Sequence, residues 1–185
     1  GVMMVKNNDA DGMVAGAITS TGDVLRPALQ ILKTAKDVKV VSTFFLMDVP
    51  NSIYGSDGLF AFSDCGLMVE PNASELSEIA IQTAKSFEKL TQEEPRIAML
   101  SYSTFGSAKG DNINKVIEAT KTVQQQYPNL KIDGELQLDA AIVPEIAKIK
   151  APSSTVAGTA NVLIFPDLQS GNIGYKLVQR LAKAD

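Results

Sequence analysis

Residues 96–137 read RIAMLSYSTFGSAKGDNINKVIEATKTVQQQYPNLKIDGELQ, and this stretch decides the fold. Arg96–Tyr102 is an apolar run typical of a buried strand, and a glycine- and serine-bearing loop, Thr104–Asp111, follows it. Ile113–Gln126 repeats apolar residues at helical spacing, and Leu130–Ile132 indicates a second strand. A strand, a helix and another strand in this order predict an α/β fold around a largely parallel sheet.

The same alternation of elements continues on both sides of this stretch. Tyr54–Gly58 is a turn signal, and it predicts a hairpin between the strands on either side of it. The other predicted strands are Val2–Val5, Lys39–Met47, Leu59–Ser63 and Asn161–Phe165. The other predicted helices are Met13–Thr19, Val24–Ala35, Ser74–Thr91, Asp139–Ile149 and Ile173–Lys183.

Composition excludes several classes of function. Among 185 residues, 45% are hydrophobic and 21% charged, and the net charge of −4 offers no broad cationic surface for nucleic acid. The longest apolar runs have the length of strands, so no membrane partner is predicted. Histidine is absent, which excludes a Ser-His-Asp triad within these residues. The single Cys65 excludes an internal disulfide, and a reducing cytoplasm is the expected location.

Three polar, glycine-bearing segments follow predicted strands: Ser101–Gly110, Asp133–Gln137 and Pro166–Asn172. Parallel strands end at the same edge of a sheet, and ligands of open α/β sheets bind at that edge. Loops often need glycine for conformational reasons alone, so glycine by itself does not indicate a binding site. Because three such segments meet at one edge, we favour a binding site there.

The segment Ser20–Arg26 combines hydroxyl groups, a helix start and an arginine one turn into the helix. Backbone N–H groups and the helix dipole attract an anion to such a place, and the planar guanidinium of Arg26 suits a phosphate. An ordinary helix cap with a surface arginine explains the same residues equally well.

Other polar residues have two interpretations each. The loop Ser101–Gly110 either cradles a phosphate or pantetheine group or serves as a connector, and it lacks the residue order of a P-loop. The acidic pair Asp133 and Glu135 could serve acid–base chemistry or hold a divalent ion, but a structural role in accepting backbone hydrogen bonds is favoured. Lys150 is either a solvated cation at a helix end or a phosphate ligand, and Cys65 is interpreted as a small packed residue.

Six strings carry a resemblance to a known family. They are Asp9–Gly12, Ser20–Pro27, Met99–Thr104, Gly106–Lys109, Asp133–Ala141 and Phe165–Lys176. Together they resemble the phosphate acetyltransferase, or phosphotransacetylase, family. The strings are ordered and spread over nearly the whole chain, so they are far more specific than one glycine pattern.

The resemblance implies a three-layer α/β sandwich around a mostly parallel sheet, similar to that of isocitrate and isopropylmalate dehydrogenases. Residues 1–40 would be the tail of a discontinuous first domain, and residues 41–183 would form the second domain of a two-domain enzyme. The implied reaction is reversible transfer of an acetyl group between acetyl phosphate and coenzyme A by direct attack of the thiolate. The resemblance further implies a cytoplasmic homodimer that uses coenzyme A as substrate, with no tightly bound cofactor.

The resemblance also implies roles for particular residues. Ser20 and Arg26 match the family's cleft serine and arginine and are the candidate catalytic residues, which would hold the phosphate. The candidate substrate-binding residues are Thr21, Gly22, Ser103, Thr104, Ser107 and Lys150. No metal ligand is expected.

Departures from the family pattern limit the expected activity. Phe105 stands where many relatives have lysine. The family's C-terminal Asp-Leu-Ser-Arg-Gly motif, with the following aspartate that acts as base in relatives, does not occur in these residues. These features and the odd ends, Gly1–Met4 and Asp185, predict a piece of a longer polypeptide that is inactive alone. The alternatives are a small complete protein, a phosphate butyryltransferase, an acyl-CoA-binding regulatory module like the tail of some malic enzymes, or a purely structural domain.

Overall fold

The computed structural model describes residues 1–36 and 38–185. These residues form two compact units, Gly1–Lys39 and Val40–Asp185. The assignment of the two parts to separate domains of a larger enzyme stays a prediction, because a division into units does not show which domain each unit belongs to. In the described part of the chain, no helix combines the length and apolarity needed to cross a membrane.

Two helices build the first unit, α1 (Val2–Lys6) and α2 (Thr21–Ile31), and they pack against each other. The strand predicted for Val2–Val5 is wrong, because four consecutive apolar residues carry no period that separates a strand from a helical turn. The helix predicted for Met13–Thr19 is also wrong. That segment is irregular, and Gly16 has a φ of +111°, which a right-handed helix does not allow.

Helix α2 begins earlier than the predicted start at Val24 because Ser20 caps it. The Oγ of Ser20 accepts a hydrogen bond of 3.3 Å from the backbone N–H of Asp23. A hydroxyl in this position satisfies one of the free N–H groups of the first turn. The helix ends at Ile31, short of the predicted Ala35.

A five-stranded sheet forms the centre of the second unit. The strands are β1 (Phe44–Asp48), β2 (Leu59–Ser63), β3 (Arg96–Leu100), β4 (Lys131–Leu136) and β5 (Val162–Ile164). Their order in the sheet is β1-β2-β5-β3-β4, and all neighbours are parallel except β1 and β2. The predicted hairpin is confirmed, since β1 pairs antiparallel with β2, although β1 is shorter than the predicted strand Lys39–Met47.

Helices cover both faces of the sheet, so the second unit is a three-layer α/β sandwich. They are α3 (Ala73–Thr91), α4 (Asp111–Gln126), α5 (Leu138–Ile142), α6 (Pro144–Lys150) and α7 (Leu168–Leu181). Side chains alternate along the strands: Ile97 and Met99 join α3 and α4 in one core, whereas Ala98 and Leu100 join α5 and α7 in the other. The predicted α/β class with a mostly parallel sheet is confirmed.

Two predicted elements differ from the observed ones. The helix predicted over Asp139–Ile149 is divided into α5 and α6 because Pro144, which has no N–H and restricts Val143 before it, starts a new helix. The loop predicted over Pro166–Asn172 is wrong beyond Asp167, since that residue caps α7. Its Oδ1 accepts the N–H of Ser170 at 2.8 Å.

Candidate active site

The carboxyl ends of the four parallel strands lie at one edge of the sheet. Asp64 follows β2, Phe165 follows β5, Ser101 follows β3 and Gln137 follows β4. The helix after β3 packs on one face of the sheet and the helix after the neighbouring β5 packs on the other. A crevice forms where adjacent strands connect to opposite faces, and ligands of α/β proteins bind there.

Glu135, near the end of β4, anchors the loop Ser101–Gly110. Its Oε1 accepts a hydrogen bond of 2.8 Å from the Ser103 hydroxyl and one of 2.7 Å from the Gly106 N–H. Glu135 and Ser103 are buried, with 2% and 0% of their surfaces exposed. A carboxylate that accepts backbone and hydroxyl hydrogens in this way holds the loop in one conformation. The structural interpretation of Glu135 is therefore confirmed.

The predicted loop residues Ser103, Thr104 and Ser107 occupy different environments. The Ser103 Oγ accepts the Ala108 N–H at 3.0 Å, and the Ser107 Oγ accepts the Thr104 N–H at 3.0 Å. Ser103 and Thr104 are buried, whereas Ser107 is exposed. The buried hydroxyls thus position the loop, and Ser107 is the exposed residue of this group, with its Oγ 3.3 Å from the Ser103 Oγ.

Gln137 connects the loop to Lys150. Its backbone N–H donates to the Thr104 Oγ1 at 2.9 Å, and its side-chain Nε2 donates to the Tyr102 carbonyl at 3.0 Å. Its Oε1 accepts a hydrogen bond of 2.9 Å from the Lys150 Nζ. The structure therefore brings all four predicted residues of this unit to one edge. Gln137 is not among the site residues predicted from the sequence. Its position directly after a predicted strand was a signal that it would lie at this edge.

Lys150 also forms an ion pair with Asp139, with 2.7 Å between Nζ and Oδ2. The hydrogen bond from Lys150 lowers the pKa of Asp139 below its usual value, helped by the Ala140 N–H and opposed by partial desolvation. Both side chains are substantially exposed, so the pair orients the ammonium group and contributes little to overall stability.

Lys150→Met is expected to raise the pKa of Asp139 towards that of an ordinary carboxyl group, because it removes the main cause of the depression. With Lys150 present, the pair stabilises the fold above the unfolded-state pKa of about 3.9, and this contribution is lost as the pH falls through the lower folded-state value. A carbon-13 NMR titration of the Asp139 carboxyl measures the shift. Lys148→Met removes the same charge from the same helix and should change it little. An unchanged midpoint in Lys150→Met would contradict the assigned cause.

The predicted phosphate ligands of the first unit share the first turns of α2. Ser20 is the N-cap, and Thr21 and Gly22 are the first two helical residues. The Ser20 Oγ accepts the Asp23 N–H, so Ser20 caps the helix as the structural interpretation predicts, and its hydroxyl donates to the Asp23 Oδ2 at 2.7 Å. The side chain of Arg26 is 71% exposed, and its Nη2 lies 4.0 Å from the Asp23 Oδ1. The guanidinium fork is consequently accessible to a ligand.

A cavity of about 290 Å³ lies between the carboxyl ends of β3 and β5. Its apolar wall comes from Leu100, Tyr102, Leu138 and Phe165, and Asp167 is among its polar lining residues. Ligand pockets typically combine a mostly apolar wall with a few polar groups that fix orientation. The cavity adjoins the loop anchored by Glu135.

Two larger hollows, of about 450 and 530 Å³, lie at the opposite, amino edge of the sheet. Lys131 lines both hollows, and its Nζ lies 2.7 Å from the Glu94 Oε2. Arg96 lines the hollow of about 530 Å³, and its Nε donates to the Thr159 carbonyl at 2.6 Å and its Nη2 to the Gly55 carbonyl at 3.0 Å. The polar groups that the sequence singled out lie at the carboxyl edge instead. We therefore place the candidate site at the smaller cavity.

Cys65 is a packed residue at the end of β2. The thiol is buried, and burial together with the neighbouring Asp64 carboxylate raises its pKa to about 12. A thiol with so high a pKa is protonated at neutral pH and is a poor nucleophile. Among residues 1–36 and 38–185, no group of three or more Cys, Asp or Glu side chains is arranged to hold a metal ion.

Comparison with known proteins identifies, over the full length of the chain, the family that the sequence motifs resemble. The sequence profile described as phosphate acetyl/butaryl transferase matches residues 1–185. The chain belongs to this family. The phosphate acetyltransferase of Acetivibrio thermocellus is 63% identical over 185 residues, and that of Thermoanaerobacterium thermosaccharolyticum is 59% identical over 185 residues. The resemblance predicted from the sequence motifs is confirmed.

Solved structures of phosphotransacetylases share this fold. The crystal structure of the enzyme from Streptococcus pyogenes matches with a TM-score of 0.90 at 52% identity, over 100% of this chain. The match covers 55% of that structure's chain, and the two curated phosphate acetyltransferases are each covered to 56%. The chain therefore spans about half the length of the phosphate acetyltransferases that it matches.

Proposed function

We propose that this chain is part of a phosphate acetyltransferase that moves an acetyl group between acetyl phosphate and coenzyme A. The observation that carries the proposal is the 63% identity to a phosphate acetyltransferase along the entire chain. The two relatives compared above are named for acetyl transfer, which favours acetyl over butyryl as the transferred group. The polypeptide would work in the cytoplasm as a homodimer.

In this proposal the start of α2 binds the phosphoryl group of acetyl phosphate. The N–H groups of Thr21 and Gly22 belong to the first turn of α2, where the helix dipole favours negative charge. Arg26 offers a planar pair of donors to two phosphate oxygens. The Ser20 hydroxyl would transfer its hydrogen bond from Asp23 to the ligand. These donors hold the leaving phosphate and stabilise the charge that develops on it.

Coenzyme A would bind at the carboxyl edge of the sheet in the second unit. The exposed ammonium of Lys150, oriented by Asp139 and Gln137, is suited to bind a phosphate group of coenzyme A. The hydroxyl of the exposed residue Ser107 would be a second donor, with Ser103 and Thr104 holding the loop that carries it. The apolar cavity beside Tyr102 would take the pantetheine arm.

The chemistry follows from the two substrates. A carboxylate base takes the proton of the coenzyme A thiol, whose pKa is near the cysteine value of about 8.5. The thiolate attacks the acetyl carbonyl carbon, the C–S bond forms, and the bond from that carbon to the phosphate oxygen breaks. The guanidinium of Arg26 holds the leaving phosphate. By family resemblance, the base belongs to the aspartate that follows the Asp-Leu-Ser-Arg-Gly motif.

The proposal is tested by comparing the longer polypeptide with the 185-residue chain. We expect the longer polypeptide to form acetyl-CoA, followed by thioester absorbance, with a larger kcat/KM for acetyl phosphate than for butyryl phosphate. We expect no turnover from the 185-residue chain. Coenzyme A binding without acyl transfer in the longer polypeptide would instead support a regulatory module. Absence of both binding and transfer would indicate a structural domain.

A further inference from the structure

Phe105, in the loop Ser101–Gly110, is exposed and has an unfavourable backbone conformation. It is 41% exposed, and within residues 1–36 and 38–185 it belongs to neither hydrophobic core of the second unit. Its φ of +45° lies in the left-handed region, which bulky residues rarely adopt because Cβ crowds the following carbonyl. Glycine or asparagine would occupy this position with less strain, so the backbone conformation alone does not account for a phenylalanine here.

Glu135 holds the backbone at Phe105 in place. The N–H of Phe105 donates to the Glu135 carbonyl at 3.3 Å, and the N–H of Gly106 donates to the Glu135 Oε1 at 2.7 Å. A single exposed apolar residue is common on protein surfaces. A strained residue that its surroundings hold in one conformation is found mainly at ligand sites. The combination at Phe105 therefore favours a binding role for its ring.

A cation lies beside the residue that precedes Phe105. The Gln137 Oε1 is 3.3 Å from the Thr104 Oγ1 and 2.9 Å from the Lys150 Nζ, so both groups share one acceptor. An aromatic ring stacks on a nucleotide base, and an ammonium group binds a phosphate. A ring and an ammonium group at the same loop are thus suited to a nucleotide.

We propose that the ring of Phe105 stacks on the adenine base of coenzyme A while Lys150 binds a phosphate of the same nucleotide. The inference rests on the proposed function, in which coenzyme A binds at this edge of the sheet. Coenzyme A carries both groups, since its adenosine bears phosphates and is joined through them to the pantetheine arm. The same loop contributes Tyr102 to the apolar cavity proposed for that arm. Acetyl phosphate offers the ring no flat aromatic surface.

Two thiol substrates test the proposal in the longer polypeptide. Phosphopantetheine has the thiol arm of coenzyme A but lacks its adenosine. In Phe105→Asn, we expect the KM for coenzyme A to rise at least about fivefold relative to the KM for phosphopantetheine, because base stacking is lost. Phe105→Tyr keeps an aromatic ring, so the ratio of the two KM values should stay within about twofold of the parent ratio. Equal changes of both KM values in Phe105→Asn would overturn the proposal.

A control variant and a stability measurement separate stacking from packing. Ile53→Asn removes an apolar side chain that is 83% exposed at the amino edge, and it should leave the ratio of KM values unchanged. Asparagine tolerates positive φ, so Phe105→Asn is expected to unfold at a urea concentration no lower than the parent. A clear loss of stability in Phe105→Asn would show that the ring packs within the protein and would overturn the proposal.

Binding measurements distinguish failure of this inference from failure of the proposed function. If the longer polypeptide forms no acetyl-CoA, the proposed function fails, and isothermal titration calorimetry with coenzyme A then tests the stacking. Weaker binding to Phe105→Asn than to Phe105→Tyr would support the stacking. Equal affinities of these two variants for coenzyme A would overturn it.

Discussion

Arg26→Ala in the longer polypeptide is expected to slow acetyl-CoA formation at least about a hundredfold. The side chain of Arg26 is 71% exposed one turn into α2, and in the proposed mechanism it binds the phosphate that leaves during thiolate attack. Removing one preorganised donor from developing negative charge typically costs about 10²–10³ in rate. The loss should fall mainly on kcat, because the charge on the leaving group grows between ground state and transition state. Steady-state kinetics with acetyl phosphate and coenzyme A measure it.

Two further variants separate a specific role of Arg26 from a loss of charge. Arg26→Lys keeps the positive charge without the planar fork, so an intermediate rate is expected. Arg180→Ala removes an exposed arginine from α7 and should leave the kinetics unchanged. If Arg26→Ala retained the parent kinetics, Arg26 would not belong to the site and the phosphate would have to be held elsewhere.

Glu135→Ala is expected to lower the free energy of unfolding by about 2–5 kcal/mol. The substitution leaves the buried Ser103 hydroxyl and the Gly106 N–H without their carboxylate acceptor. The Ser103 hydroxyl is buried, so it cannot replace the lost hydrogen bond with one to water. Urea unfolding followed by circular dichroism measures the change. Because the loop beside the proposed coenzyme A site loses its anchor, KM for coenzyme A in the longer polypeptide should rise as well.

The matched variant Glu135→Gln keeps an oxygen where both hydrogen bonds are accepted. It should therefore cost clearly less stability than Glu135→Ala and preserve KM for coenzyme A. Glu118→Ala, at an exposed position on α4, should change the free energy of unfolding by no more than about 0.5 kcal/mol. An Ala variant at Glu135 as stable as the Glu118 variant would show that Glu135 does not anchor the loop.

Elements with strong local signals could be predicted from the sequence. Asn72 and Glu75 form a reciprocal capping box at the start of α3, and the predicted helix differs from the observed one by a single residue at that end. The predicted strand Leu59–Ser63 matches β2. The predictions were wrong for elements whose local sequence signals conflict. Gly171 suggested a loop, but in α7 its missing side chain allows the helix to approach the carbonyl of Asp64 closely.

The candidate site could be predicted only in part. The predicted strand ends and the family resemblance indicated Ser103, Thr104, Ser107 and Lys150 as candidate site residues. The structure places them at one edge of the sheet. The structure also shows that two of these hydroxyls are buried and that Gln137 and Glu135 connect the group. A residue's type and position along the chain do not reveal which of its neighbours will cover it. The roles of Ser20 and Arg26 stay a prediction.

The sequence alone determined the types of most elements in the second unit, the α/β class and the family, because these depend on local periodicity, turn residues and ordered motifs. The tertiary structure decided which distant residues meet. Glu135 bonds to Ser103, 32 positions away, and Gln137 bonds to Thr104, 33 positions away. Such contacts depend on the order of strands in the sheet, where β4 lies next to β3. That order results from the packing of helices on both faces, which no local stretch of sequence encodes.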